Sequence, residues 1–155
     1  MSAIEIPDVG SWFHCFAEGV PQPQGSKQAF VVGGRARIVE GNARTLKPWR
    51  QQIAACAEAQ LPPGWVNRGA FVVTCRFDFA RPKSHYTGKG VLRKGVSAQH
   101  VQKPDLDKLV RAVLDALSYA GSPVMFDDAM VHQLVPSKRW VVVRSGVYVH
   151  VRREG

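Results

Sequence analysis

Acidic residues are scarce in this chain. Only 12 of its 155 residues are Asp or Glu, against 21 Lys and Arg, which gives a formal net charge of +9. The basic residues are spread along the chain instead of forming one terminal tract, which predicts a folded basic surface and not a flexible basic arm. A surface of this sign favours nucleic acid as the partner, with an anionic membrane surface as the weaker alternative.

Cysteines and long apolar runs are also few. Three cysteines, at positions 15, 56 and 75, form no C-x-x-C pair, and an odd number cannot complete a disulfide framework. They are therefore expected to be buried thiols in a reducing compartment, with neither a redox role nor a zinc-binding role. No stretch approaches ~18 consecutive apolar residues, and the N-terminus lacks the pattern of a signal peptide. The expected protein is cytoplasmic, with no membrane segment.

Several familiar catalytic and metal-binding motifs are missing. The chain has no G-x-x-x-x-G-K-[ST] phosphate loop and no H-E-x-x-H zinc motif. A calcium loop counted from Asp105 would need glycine at its sixth position, where Val110 stands. The five histidines lack the spacing of metal ligands, so each is expected to be an ordinary surface or core residue; they are His14, His85, His100, His132 and His150.

The order of predicted elements indicates the fold class. A chain of this length forms one domain, here residues 1–155, with a core of useful size. The predicted fold is α+β: a mixed β-sheet with two main helices packed on one face. Apolar periodicity, β-prone runs and Gly/Pro turns predict strand 11–18, hairpin 30–39 around Gly33-Gly34, helix 47–61, strand 70–80, helix 106–119, and strands 129–135 and 139–152.

Residues 81–102 form the longest irregular stretch of the sequence. This segment has five Lys or Arg residues and no acidic residue. A loop of this length inside a compact domain is usually functional or disordered. We expect it to grip a nucleic-acid backbone in a salt-dependent way, through Arg81, Lys83, Lys89, Arg93 and Lys94.

The most informative feature is a group of aspartates. Five of the twelve acidic residues lie within positions 105–128, and all five are Asp. Asp105 and Asp107 would diverge by about 200° inside one helix, so they converge only if the helix begins between them, after Pro104. The alternative is structural, with Asp105 as an N-cap and Asp107 as a first-turn acid that complements the helix dipole.

A second pair, Asp127-Asp128, follows the predicted helix. Alone it is consistent with a polar turn, but a returning strand can bring it back beside the helix N-terminus. Several carboxylates would then share one site in a basic protein, where oxygen ligands suit Mg²⁺.

Asp107, Arg111 and Asp115 lie at i, i+4 and i+8 of the predicted helix. They form either a salt-bridge ladder or a face on which Arg111 clamps a phosphate.

This pattern resembles the RusA family of Holliday junction resolvases, endonucleases of bacteria and their phages. The matching segments are the heptapeptide Lys103–Leu109, the triplet Asp115–Leu117 and the pentapeptide Asp127–Val131, which cover roughly residues 103–134. The Pro- and Gln-rich segment Gly19–Lys27 is also similar to the N-terminal segment of the family, more weakly.

The resemblance implies a cytoplasmic homodimer, in a bacterial or phage-infected cell, that cuts four-way DNA junctions with Mg²⁺, for which Mn²⁺ can substitute. The implied metal ligands are Asp105, Asp107 and Asp128, with Asp127 in support. The basic catalytic position, commonly Lys in the family, is Arg111 here. Arginine keeps the charge, but it stays protonated and cannot transfer a proton. Arg111 is therefore expected to stabilise charge on the phosphate.

Further basic residues complete the expected DNA-binding surface; they are Lys27, Lys103 and Lys108. Two other functions remain open at this stage. One is a non-catalytic basic DNA-binding protein, whose aspartates only cap and support a helix. The other is a nuclease of the same chemistry that prefers flaps or replication forks, because the choice of branched DNA depends on dimer geometry.

Overall fold

A computed structural model describes residues 11–25, 27–40 and 43–155 of the chain. Its elements confirm the predicted α+β class. In chain order they are β1 (Trp12–Glu18), β2 (Lys27–Val32), β3 (Arg35–Glu40), α1 (Ala43–Ala59), β4 (Ala70–Ala80), α2 (Leu106–Leu117), β5 (Val131–Val141) and β6 (Gly146–Glu154).

The main sheet is mixed, with its four strands in the order β1-β6-β4-β5. β6 runs antiparallel to both β1 and β4, whereas β5 lies parallel to β4 at the edge of the sheet. Neighbouring parallel strands need a crossover connection, and α2 lies within this one. The connection places α2 beside the edge strand, where the candidate site forms.

Both helices cover the same face of this sheet. Alternate residues of β4, from Phe71 to Phe79, are buried in the core that α1 and α2 share. The buried stripe of α2 contains Leu109, Val110, Val113 and Leu117, much as its periodicity predicts. No helix in the described part of the chain is long and apolar enough to cross a membrane.

All three cysteines are free thiols, as expected. Burial raises the pKa of both Cys15 and Cys75 to about 12, so these thiols stay protonated at neutral pH. Cys56 is partly buried, and its thiol donates a hydrogen bond to the carbonyl oxygen of Phe16. The cysteines therefore contribute to packing.

The hairpin formed by β2 and β3 is a separate two-stranded sheet. It turns at Gly33 and Gly34, whose φ angles are 58° and 78°. A two-residue turn with positive φ at both positions matches the right-handed twist of the flanking strands, and glycine adopts it without strain. The predicted Gly-Gly hairpin is thus confirmed.

Several predicted boundaries are wrong, and the largest differences are at α1 and at the last two strands. α1 begins at Ala43 instead of residue 47, and Pro48 lies inside it, because the burial of Leu46 and Trp49 outweighs the lost backbone hydrogen bond. The predicted final strand 139–152 is two strands, since β5 runs on to Val141 and a turn separates it from β6. Pro136 did not end β5 because an edge strand leaves one side without partners.

Candidate active site

The N-terminus of α2 is built around Pro104. The Lys103–Pro104 peptide is cis, and Asp105 is extended at the N-cap position, with φ −68° and ψ 140°. The helix therefore begins between Asp105 and Asp107, as the sequence requires if the two carboxylates are to converge. The Asp105 side chain makes no capping hydrogen bond, although the residue occupies the N-cap.

Asp105 instead pairs with its neighbour Lys103. The Lys103 ammonium lies 3.1 Å from one carboxylate oxygen and 3.4 Å from the other. This hydrogen bond and the lysine charge hold the pKa of Asp105 below its usual value. Asp105 is thus ionised at neutral pH, with its carboxylate partly exposed.

A cleft of about 720 Å³ lies between α2 and β5. Asp107 and Arg111 enter it from α2, one helical turn apart, and Asp128 enters from the short 3₁₀ helix Asp128–Met130. The rest of the wall is apolar, formed by Leu106, Val110, Leu114, Leu134 and Pro136. Two carboxylates and a guanidinium thus line one open cleft, whereas the paired motifs predicted a site shared by three or four carboxylates.

The two residues of the Asp127-Asp128 pair have different environments. One carboxylate oxygen of Asp127 accepts a hydrogen bond from the backbone N–H of Ala129 at 2.8 Å, which caps the 3₁₀ helix. Asp128 is exposed and lines the cleft. The capping role falls to Asp127, which leaves Asp128 facing the same space as Asp107.

The residues of this cleft fit a hard divalent cation by donor type. Asp107 and Asp128 offer carboxylate oxygens, the ligands that Mg²⁺ prefers, and Asp105 lies two residues from Asp107. Among residues 11–25, 27–40 and 43–155, no three Asp, Glu, His or Cys side chains lie close enough together to hold one metal ion. The described chain therefore supplies suitable ligands without a closed three-ligand cage.

Asp115 belongs to a different surface. It lies 3.8 Å from Arg50 of α1 and lines a separate cleft of about 670 Å³ between the two helices. Arg50 also donates a hydrogen bond to the side-chain oxygen of Gln24. Of the three residues at i, i+4 and i+8, only Asp107 and Arg111 share the candidate site.

Sequence reasoning missed Lys138, which lies on the helix-facing side of β5 opposite Phe77. Its ammonium donates hydrogen bonds to two backbone carbonyls on either side of Lys103, those of Gln102 at 2.5 Å and Pro104 at 2.8 Å. These bonds fasten the segment before Asp105 to the edge strand. No sequence motif marks Lys138, because the contact spans more than thirty residues.

Lys138→Met is expected to lower the rate of DNA cleavage at saturating substrate by about tenfold to a hundredfold, because the carboxylate of Asp105 would lose its fixed position. Methionine keeps the apolar stem and removes the donors. Junction affinity measured in EDTA should change less than twofold. Lys89→Met is the matched control, since an exposed loop lysine should affect affinity and leave the saturated rate unchanged. A saturated rate equal to that of the wild type would contradict this role.

The basic loop 81–102 is folded. The backbone N–H of Arg93 bonds the carbonyl of His85, and Tyr86 pairs with Leu92. The side chains of Lys83, Lys89, Arg93 and Lys94 are exposed, as a DNA-binding surface requires. Lys103 is also exposed, Lys108 is half-buried, and the side chain of Lys27 lies outside the described part of the structure.

Arg81 braces this loop. Its guanidinium donates to the carbonyl of Ser97 at 3.1 Å and lies 6.0 Å from the ring centroid of Trp140. Near the other end of the loop is His100. Its ring lies 4.1 Å from that of Trp140 and 4.4 Å from that of Phe79, centroid to centroid. Both ends of the loop are therefore attached to the sheet through one aromatic cluster.

His100 predicts a pH dependence of stability. The residue is 4% exposed, and burial, with the nearby Lys138 charge, lowers its pKa from the ordinary value of 6.5. Because the unfolded chain then binds this proton more tightly, the unfolding free energy should fall as the pH drops below about 6.5. His100→Phe should flatten that fall in urea titrations between pH 7.5 and 5. The pKa of His150 is also lowered, so some slope should remain. An unchanged slope would contradict the prediction.

A family model described as endodeoxyribonuclease RusA matches residues 18–152 of the chain. A search of curated proteins found no match. The protein therefore belongs to the class of endodeoxyribonucleases. More particularly, the chain belongs to the RusA family, as the resemblance of its aspartate motifs predicted.

Proposed function

We propose that this protein is a Mg²⁺-dependent, structure-selective endonuclease that resolves four-way DNA junctions by paired nicks. It would act as a homodimer in the cytoplasm of a bacterial or phage-infected cell, in recombination and repair or in phage DNA processing. The observation that carries the proposal is the meeting of Asp107, Asp128 and Arg111 in one cleft, within the segment that matches the family.

The chemistry follows from the residue types. Asp107 and Asp128, with Asp105 beside them, would hold Mg²⁺ through carboxylate oxygens; Mn²⁺ would serve in its place. When bound, the cation would supply an activated water and would neutralise charge that develops on the phosphate. Because an arginine side chain offers donors and no acceptor, Arg111 would act as a fixed positive contact to the scissile phosphate, not as a base.

Two features support binding of the DNA backbone next to this cleft. The exposed cations of loop 81–102 lie in the segment that leads into Asp105, and Lys103 is itself exposed. Each cation that contacts a phosphate releases counterions, so affinity should fall steeply with salt.

The test is cleavage of an end-labelled synthetic four-way junction in Mg²⁺, beside a linear duplex of matched sequence and a flap substrate. Paired nicks near the crossover, absent from the linear duplex and in EDTA, are the expected result. Faster cutting of the flap would assign the same chemistry to another branched substrate. Binding without any product in Mg²⁺ or Mn²⁺ would overturn the proposal in favour of a non-catalytic DNA-binding protein.

A further inference from the structure

One face of the main sheet is not covered by the helices. Alternate residues of β4 point to this open face, among them Arg76 and Asp78. Asp78 is only 4% exposed there, although most of its polar neighbours are in contact with solvent. A buried carboxylate on an open sheet face requires partners, because an unpaired buried charge is costly.

Two arginines supply those partners, each with two donors. The Nε of Arg139 lies 2.9 Å from one oxygen of Asp78, and its Nη2 lies 3.5 Å from the other. Arg76 makes the corresponding contacts at 3.1 and 3.4 Å. These bonds raise the pKa of Arg139 above its already high value. Asp78 thus holds two guanidinium groups in fixed positions on the sheet.

Among the described residues, Asp78 is the hydrogen-bond acceptor for both arginines, so each keeps further donors. A guanidinium carries five N–H donors, and each uses two on Asp78. The side chains of Arg76 and Arg139 are 37% and 52% exposed, so both guanidinium groups are accessible from solvent. Planar guanidinium groups with free donors match the oxygens of a phosphate group.

A third arginine completes a cup of about 330 Å³. Arg144 lies on the turn between β5 and β6, over the ring of Phe16 and 3.4 Å from Glu18. The turn is held in place, because the Ser145 hydroxyl accepts a hydrogen bond from the N–H of Ala80. With three arginines against Asp78 and Glu18, the formal charge around the cup is 3 − 2, or +1.

The position of the cup indicates its ligand. Arg139 pairs with Gln99 of the basic loop, and the N–H of Arg81 bonds the carbonyl of Val141 beside the cup. Lys138 and Arg139 are consecutive residues of the edge strand and project to opposite faces of the sheet. A DNA backbone that passes around this edge would reach both the candidate active site and the cup.

We propose that Arg76, Arg139 and Arg144 form a phosphate-binding cup that holds the backbone of a DNA arm, away from the cleavage site. This inference rests on the proposed function, since the ligand is the same branched DNA. Asp78 is a positioning residue that orients two of the arginines. The cup adds an anchoring contact on the face of the sheet opposite the cleft.

The chain offers a matched pair of variants to test the cup. Arg144 and Arg152 are both exposed, and each is paired with one glutamate, Glu18 and Glu154 respectively. Arg144 lines the cup, whereas Arg152 lies farther along β6, opposite Trp12 on the same open face. The ion pairs of Asp78 are made with Arg76 and Arg139, so Arg144→Gln and Arg152→Gln leave these buried pairs intact.

The measurement is the affinity for a fluorescent four-way junction in EDTA, by anisotropy, at several salt concentrations. Arg144→Gln is expected to weaken binding about fivefold to tenfold at low salt and to lower the salt slope by about 0.9, the value for one phosphate contact. Arg152→Gln should stay within twofold of the wild type. Arg139→Gln should resemble Arg144→Gln, with its folding checked by thermal unfolding because Asp78 loses a partner.

The possible outcomes test the cup and the proposed function separately. A wild-type slope for Arg144→Gln would overturn the cup, and so would equal losses in Arg144→Gln and Arg152→Gln, which would show only a general charge effect. If the wild type binds no DNA, both the cup and the proposed function fail. If it binds the junction and never cuts it in Mg²⁺ or Mn²⁺, the cleavage proposal fails, while the two slopes still test the cup.

Discussion

Asp107→Asn is expected to abolish cleavage of a four-way junction, with a loss on the order of a thousandfold or more, while the affinity for the junction in EDTA stays within about threefold. The reason is that asparagine keeps the size of the side chain and removes the charge that a metal ligand needs, and metal ions contribute several kcal/mol to such reactions. The measurement is single-turnover cleavage with enzyme in excess.

Asp115→Asn is the control for this experiment. The same substitution is then made on the same helix, two turns farther on, where the side chain lies near Arg50 and lines the other cleft. Cleavage by this variant should remain within about threefold of the wild type, as expected for a residue that takes no part in the reaction. Retained cleavage by Asp107→Asn would rule out Asp107 as an essential ligand and would favour a structural role at the helix N-terminus.

The second prediction distinguishes the roles of the neighbouring residues Asp127 and Asp128. Asp128→Asn is expected to reduce cleavage about as severely as Asp107→Asn, because both carboxylates line the same cleft. Asp127→Asn should cost less than about tenfold, since an asparagine oxygen can still accept the hydrogen bond from Ala129 that caps the 3₁₀ helix.

The two variants are compared by single-turnover rates over a range of Mg²⁺ concentrations. A ligand substitution should also raise the Mg²⁺ concentration needed for half-maximal rate, whereas a capping substitution should leave it unchanged. If Asp127→Asn is the more damaging variant, the roles assigned to the pair are reversed. Circular dichroism and thermal unfolding of both proteins would exclude a folding defect as the cause.

The sequence predicted much of the fold because local signals agreed with the final structure. The periodic stripe of α2, the alternation of β4 and the Gly33-Gly34 turn each indicated one element without reference to the rest of the chain. The prediction erred at the start of α1, which is Ala43 and not residue 47, and at the end of β5, which runs through Pro136 instead of ending at residue 135. In both places the tertiary position, a buried helix face and a sheet edge, allowed the chain to continue.

The candidate site was predictable in its residue types and only partly in its arrangement. The spacing of Asp105, Asp107 and Asp128 predicted a shared carboxylate site, and two of the three line one cleft. The pairing of Asp105 with Lys103 and the capping role of Asp127 depend on side-chain directions, which spacing does not reveal. The sequence also did not predict that Arg81 holds the loop through the carbonyl of Ser97, because that contact depends on the direction of its side chain.

By itself, the sequence determined the basic character of the protein, its α+β class, the start of α2 and the family to which it belongs. These properties follow from composition, from short-range periodicity and from motifs contained within a few dozen residues. Only the tertiary structure decided that Lys138 secures the segment before Asp105, that Asp115 lies outside the site, and that Asp78 gathers Arg76 and Arg139. The contact of Lys138 with Pro104 and that of Arg139 with Asp78 join parts of the chain more than thirty residues apart, which only the folded arrangement of the strands brings together.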